Sequence, residues 1–178
     1  RRGLATAADE RVLREKRQAD DVPFDRQGPR GATLDDLDLD YFRQQYPPGA
    51  VAPEVLAANG RTIEEQLGGL RMLTRHGTPT HAALLVLGKD PRAWLPGAYV
   101  QFLRLDGPTL ESDVILDQKE VSGRVGDVLR TLDDLTAINI RVETHIAGHV
   151  TEARLTDYPA VAIQQLVRNA VMHRTYES

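Results

Sequence analysis

The sequence predicts an α+β fold in which short helices pack with a small mixed or antiparallel sheet. Three observations carry this. Apolar residues recur at helical spacing along 123–138 (Val125, Val128, Leu129, Leu132, Leu135) and again along 158–176. Residues 98–105 alternate as a half-buried strand does. Finally, 139–145 and 149–155 alternate on either side of Ile146, Ala147 and Gly148, so 139–155 reads as a hairpin. With 178 residues, 41% hydrophobic and 27% charged, the chain has the composition of a soluble globular protein. Its length suits one ordinary domain, or one domain flanked by pieces of two others.

Taken in order, 7–18 reads as a solvated helix, with Glu10 four residues before Arg14 and Arg11 four before Glu15. Residues 20–31 carry Pro23, Gly28, Pro29 and Gly31 with only Val22 and Phe24 as anchors, the composition of a mobile or extended linker. A helix is expected over 33–46, burying Leu37, Tyr41 and Phe42 and ending at Pro47 and Pro48. Asp35, Asp36, Asp38 and Asp40 near its start suit the helix dipole better than a metal cage. A short helix over 53–58 stops at Asn59 and Gly60, and Thr62 with Glu65 forms a capping box for another through Leu67 and Leu70, weakened by Gly68 and Gly69.

These helices, spanning 33–77, are arranged in sequence like a helix-turn-helix bundle. A recognition helix needs several side chains for bases or phosphates, and only Arg61, Arg71 and Arg75 are on offer. Residues 80–87 form a buried helix begun by Thr80, or a buried strand, since periodicity cannot separate the two over so short a run. Gly88 and Lys89 do not make a phosphate loop: Ala83 stands in place of the first glycine and Asp90 in place of the hydroxyl residue. A second strand is expected over 114–121, and Ser122 is the expected cap of the 123–138 helix. His145 and His149 flank the hairpin turn, too few ligands for a zinc site.

Charge and cysteine content narrow the function classes. Net charge is −4 and the 22 Lys and Arg are scattered, so the basic footprint of a duplex DNA binder is missing from the linear sequence. With no Cys, disulfides, thiol catalysis and Cys-based zinc sites are excluded, which fits a reducing cytoplasm. No apolar run could cross a bilayer, and no signal peptide is visible. The chain opens on Arg1 without Met and closes at Ser178 just after its last helix, so both ends read as cut.

The helix at 158–176 is the most informative segment. Gln165, Asn169 and His173 stand at successive i, i+4 positions and form one polar row. Beside it Ile163, Leu166, Val167, Ala170 and Val171 form an apolar stripe, and Pro159 fits the first turn. A polar row bordering a buried stripe suits the edge of a ligand site.

The run from Tyr158 and Pro159 through Arg168, Asn169, Ala170, His173, Arg174 and Tyr176 resembles the segment that opens the GHKL-type ATPase-like domain of RecG-related proteins. In this bacterial family, labelled ATP-dependent DNA helicases or transcriptional regulators, a Schlafen AlbA-type domain precedes that ATPase-like domain. Residues 31–42, 77–91 and 96–102 resemble family segments in the same order, so the likeness covers nearly the whole chain.

The resemblance implies four regions: 1–18 as the tail of the AlbA-type domain, 19–32 as linker, 33–157 as a connecting α+β domain, and 158–178 as the first helix of a truncated ATPase-like domain. It also implies roles. Asn169 takes the magnesium-binding place, His173 the adjacent nucleotide-binding place, and Gln165 the place of the family's catalytic acid. An amide cannot accept a proton as a carboxylate does, so nucleotide binding without efficient hydrolysis is expected. ATP and magnesium are implied for the full-length protein and neither for this segment alone, which is expected to have no catalysis, to connect its two neighbours and to be compatible with a homo-oligomer. Nucleic acid is implied as a partner of the full-length protein and is not favoured for this segment, no membrane partner is implied, and the location is cytoplasmic. Two competing expectations are a DNA-binding regulatory module built on the 33–77 bundle and a piece of an ATP-hydrolysing enzyme.

Overall fold

The computed structural model describes residues 22–50, 52–107, 114–140, 142–147, 151–156 and 158–176. The expected helix at 7–18, Gly148 and His149 lie outside these. Among the described residues the fold is α+β, with helices α1 (Leu39–Ala50), α2 (Pro53–Ala57), α3 (Ile63–Gly69), α4 (His81–Leu87), α5 (Pro91–Trp94), α6 (Val125–Asn139) and α7 (Ala160–Met172). Strands β1 (Tyr99–Leu105) and β2 (Ile115–Ser122) pair antiparallel, and β3 (Val142–Ala147) pairs antiparallel with β4 (Thr151–Thr156).

Asp36, Asp38 and Asp40 serve caps and ion pairs. Asp36 Oδ2 accepts from the Thr33 amide at 2.7 Å and from its hydroxyl at 3.1 Å, closing a 3₁₀ turn over Leu34–Asp36. Asp38 Oδ1 then accepts from the Tyr41 amide at 2.8 Å, starting α1, and Asp40 pairs with Arg43. One correction concerns the far end of α1, which runs through Pro47 and Pro48 to Ala50 instead of stopping before them. The two prolines fall in its last turn, where the N–H donors that would reach the Arg43 and Gln44 carbonyls are absent and the helix ends two residues later.

Leu37, Phe42, Leu67, Leu84 and Leu87 are each at most 1% exposed and form a first core, with Ala32, Met72 and Ala83 around them. The 80–87 run is helical: α4 is capped by the Thr80 hydroxyl, which accepts from the Ala83 amide at 3.2 Å. Backbone bonds from Asp38 to Leu87 (2.8 Å) and from Lys89 to Asp36 (2.9 Å) tie the end of α4 to the start of α1. At this junction Gly88 has no room for a side chain: a Cβ there would lie 2.2 Å from the Leu84 carbonyl oxygen. Gly88 is therefore a packing glycine.

The described part of the expected linker is seated on this core. The Phe24 ring lies 4.4 Å from the His81 ring, and His81 Nδ1 is 2.9 Å from the Phe24 carbonyl oxygen. The His81 amide donates to the Gln27 carbonyl at 2.7 Å. Composition suggested a weakly anchored stretch, but His81, distant in sequence, supplies the partner that offsets the ordering entropy.

A second core lies between β1–β2 and the helices α6 and α7. Tyr99 stands opposite Ser122 and Arg104 opposite Asp117, with the register slipping after Arg104. This turns Val100, Phe102 and Val121 onto Val128, Leu132 and Leu135 of α6. Ser122 does not cap α6, which begins after Arg124. Pairing with Tyr99 draws Ser122 into the ladder, and Gly123, at φ 123°, makes the corner. In the second hairpin Val142 faces Thr156 and Ala147 faces Thr151.

Candidate functional site

Helix α7 is held on one side. Val171 is buried and Val167 half-buried against the α6 core, while Arg168 reaches Asp133 of α6 with Nη2 3.0 Å from Oδ2 and Nη1 3.4 Å from Oδ1. Pro159 sits at the N-cap, where its missing N–H is not needed. The apolar stripe predicted from sequence is thus divided: Val167 and Val171 pack inward, whereas Leu166 stays 64% exposed and Ala170 is also exposed. The reason is geometric, since a stripe of this width is broader than the single seam α6 can cover.

The three predicted site residues come together on the opposite side. Gln165, Asn169 and His173 are all exposed, and among the described residues none of their side chains has a hydrogen-bond or ionic partner. Apolar groups flank the row: by helical phase Val161 (75% exposed) and Met172 (72% exposed) lie to one side, with Leu166 and Ala170 to the other. An amphipathic helix covered by one neighbour alone should present mostly charge outward. This one presents amides, an imidazole and aliphatic carbons.

Immediately after α7, the chain is clamped by residues that the sequence reading left without a role. The Arg174 guanidinium donates to the Tyr99 carbonyl and lies 5.8 Å from the Tyr99 ring centroid and 5.2 Å from that of Tyr176. Its Nε is buried and has no hydrogen-bond partner among the described residues. The Tyr176 hydroxyl donates to the Val171 carbonyl at 2.7 Å, and the Tyr176 carbonyl accepts from the Gly97 amide at 3.2 Å. Burial raises the Tyr176 phenol above its ordinary value of 10.0. The one sequence signal for this clamp was the placement of Arg174 and Tyr176 directly behind His173.

A magnesium ion would find only part of a site here. Asn169 supplies one neutral carboxamide oxygen and no carboxylate lies in the row; among the described residues no cluster of three or more His, Asp or Glu could hold a metal. Since magnesium keeps waters and leans on phosphate oxygens and carboxylates, Asn169 could join such a site only beside a nucleotide and further protein groups. Gln165, lacking a titrating oxygen, would position water rather than take its proton. Asp36 and Asp38 are engaged in caps and Asp40 in an ion pair with Arg43, and of the hairpin histidines only His145, opposite Ala153, falls on a described strand.

No model of a known protein family matches the sequence, and no curated protein matches it either. Among solved structures, the chain is similar to the crystal structure of the DIP2311 protein from Corynebacterium diphtheriae, with a TM-score of 0.55 and 19% sequence identity over 92% of this chain. The chain spans 31% of that protein's length. At this identity the likeness speaks for the fold alone. No helix among the described residues is long and apolar enough to cross a membrane.

Proposed function

We propose that this chain is the connecting region of a RecG-related regulator, linking an AlbA-type nucleic-acid-binding domain to a GHKL-type ATPase-like domain, and that α7 is the first helix of the latter. The observation that carries the reading is the outward face of α7. Its unpartnered Gln165, Asn169 and His173 row between exposed aliphatic side chains has the character of a surface completed by further structure. Order and spacing of the other family-like segments support the same placement. In this reading residues 33–157 hold α7 at a fixed position, and the chain performs no chemistry by itself. The intact protein is a cytoplasmic nucleotide binder that acts on nucleic acid.

The experiment compares this chain with a longer one that completes the ATPase-like domain. Calorimetry is expected to detect no ATP binding by the 178-residue chain and magnesium-dependent binding by the longer one. Asn169→Ala should abolish the magnesium-dependent part. Gln165→Glu should raise phosphate release by on the order of a hundredfold, the usual contribution of a general base. Unchanged magnesium-ATP affinity in Asn169→Ala would reduce the row to a packing surface and remove the reading.

A further inference from the structure

Arg26, Arg71 and Arg75 are separated in sequence but line one groove. Its walls are the turn at Phe24–Arg26 and the loop that follows α3, with His76 and the Gly28 backbone beside them, and it encloses about 720 Å³. Among the described residues no carboxylate lines it. Arg43, Arg92, Arg124, Arg130 and Arg168 each meet an Asp or Glu, and Arg104 and Arg174 bond to Asn139 and to the Tyr99 carbonyl, whereas Arg30 and Arg61 have no acidic partner among the described residues but do not line the groove. The three in the groove are exposed and have no acidic partner among the described residues. Arg75 uses only Nε, which donates to His76 Nε2 at 3.3 Å, leaving the fork of its guanidinium open.

The backbone beneath Arg71 makes the cluster more specific. The Arg71 amide donates to the Gly68 carbonyl at 3.0 Å and the Met72 amide to the Leu67 carbonyl at 2.9 Å, the two bonds of a Schellman ending of α3. Arg71 occupies the left-handed position of that motif, at φ 59°, and among the described residues it is alone among non-glycines in having positive φ. Glycine is the residue this position favours. Here an arginine accepts the backbone strain, and its side chain joins the groove. Strained non-glycine residues cluster at binding sites, and a ligand of opposite charge would offset the like charges gathered here.

We propose that this groove binds the phosphodiester backbone of a nucleic acid. Guanidinium groups recognise phosphate through paired N–H donors. Among the described residues the lining holds no Phe, Tyr or Trp ring as a platform for a base, and its one imidazole, His76, accepts from Arg75 Nε. Contact through the backbone, without sequence preference, is the mode this chemistry supports. Arg71 and Arg75 alone were too few to suggest it in the linear sequence; the docking of the 22–31 segment adds Arg26 from the facing wall. The inference uses no residue of α7 and stands apart from the nucleotide reading.

The test is fluorescence anisotropy of the 178-residue chain with a short labelled DNA duplex and its single strand, from low to physiological salt. Three phosphate contacts predict a slope of log affinity against log salt of about −2 to −3, slightly shallower for the single strand. Arg26→Ala, Arg75→Ala and Arg71→Gly should each weaken binding and lower the slope by about 1. Arg71→Gly is the decisive variant, because it suits the backbone at that position: melting temperature should hold or rise while binding falls. Arg61→Ala, outside the groove, should leave both unchanged. Absence of binding at low salt, or equal losses in Arg61→Ala and the groove variants, would overturn the proposal. So would full displacement of the DNA by ATP or pyrophosphate at matched phosphate concentration, which would make this a small-anion site.

Discussion

Gly88 and Arg71 occupy backbone positions that the wrong side chain strains, and they respond oppositely to substitution. At Gly88 a single methyl group would enter the Leu84 carbonyl at 2.2 Å, and the tie between α4 and α1 cannot move aside without breaking the bond from Asp38 to Leu87. Gly88→Ala is expected to lower unfolding free energy by about 1–3 kcal/mol, the usual range for overpacking, seen as a lower urea midpoint at unchanged slope. Arg71→Gly should do the reverse, raising stability by about 1 kcal/mol as the left-handed strain is released. A Gly88→Ala protein as stable as the parent would show that the Leu84 turn is softer than its geometry indicates. From sequence, Gly88 invited comparison with a phosphate loop because the Gly-Lys pair is visible in one dimension and the Leu84 carbonyl is not.

At the scale of elements, α7 depends on a narrow seam. Val171 is 6% exposed, so Val171→Ala removes buried carbon at the α6 contact and should cost about 2 kcal/mol. Because Val167, Arg168 and the Arg174 clamp share that seam, hydrogen exchange should rise first in the amides of α7, with α4 retaining its protection. Uniform loss of protection through both helices would mean instead that the two cores unfold as one unit. The helical period of 158–176 was legible because its apolar residues repeat at i, i+3 and i+4; which part of that wide stripe would face α6 was not, since periodicity gives a face but not the partner's width.

At the scale of the whole molecule, Arg124 joins the two cores. Its guanidinium lies 2.8 Å from Asp38 and 2.9 Å from Asp127, and 4.0 Å above the Tyr41 ring. Asp38 is held below its ordinary 3.8 first by the Tyr41 amide, against the opposing effect of burial, and further by Arg124. For Asp127 partial burial pushes upward, but hydrogen bonds from Arg124 and Arg130 outweigh it and the net direction is down. Depressed folded-state values mean that the unfolded chain binds more protons near and below 3.8. This stabilisation is therefore complete above that range and is lost as pH falls through the lower folded values. Asp38→Asn should flatten the acid limb of a urea-midpoint profile while changing little of its neutral-to-alkaline slope; an acid limb as steep as the parent's would place the acid sensitivity elsewhere. High salt should weaken this joint only in part, because the groups are half-buried.

Sequence alone determined the class of this protein and most of its elements. Local rules suffice for a capping box at Thr62 and Glu65, a helix start at Thr80, strands expected at 98–105 and 114–121 and found within a residue of those bounds, and a hairpin whose two arms pair as their alternation required. The Gln165, Asn169 and His173 row was likewise readable, since i, i+4 spacing fixes a helix face whatever surrounds it. Tertiary structure decided what no local rule contains: that Phe24 would seat on His81, that Ser122 would enter a ladder instead of capping a helix, and that Arg124 would bridge two cores. It also gathered Arg26, Arg71 and Arg75 around one groove. The physical reason is the range of the interactions: hydrogen bonds within a turn and the period of a helix act over four or five residues, whereas packing and charge act on whatever the folded chain brings within a few ångströms.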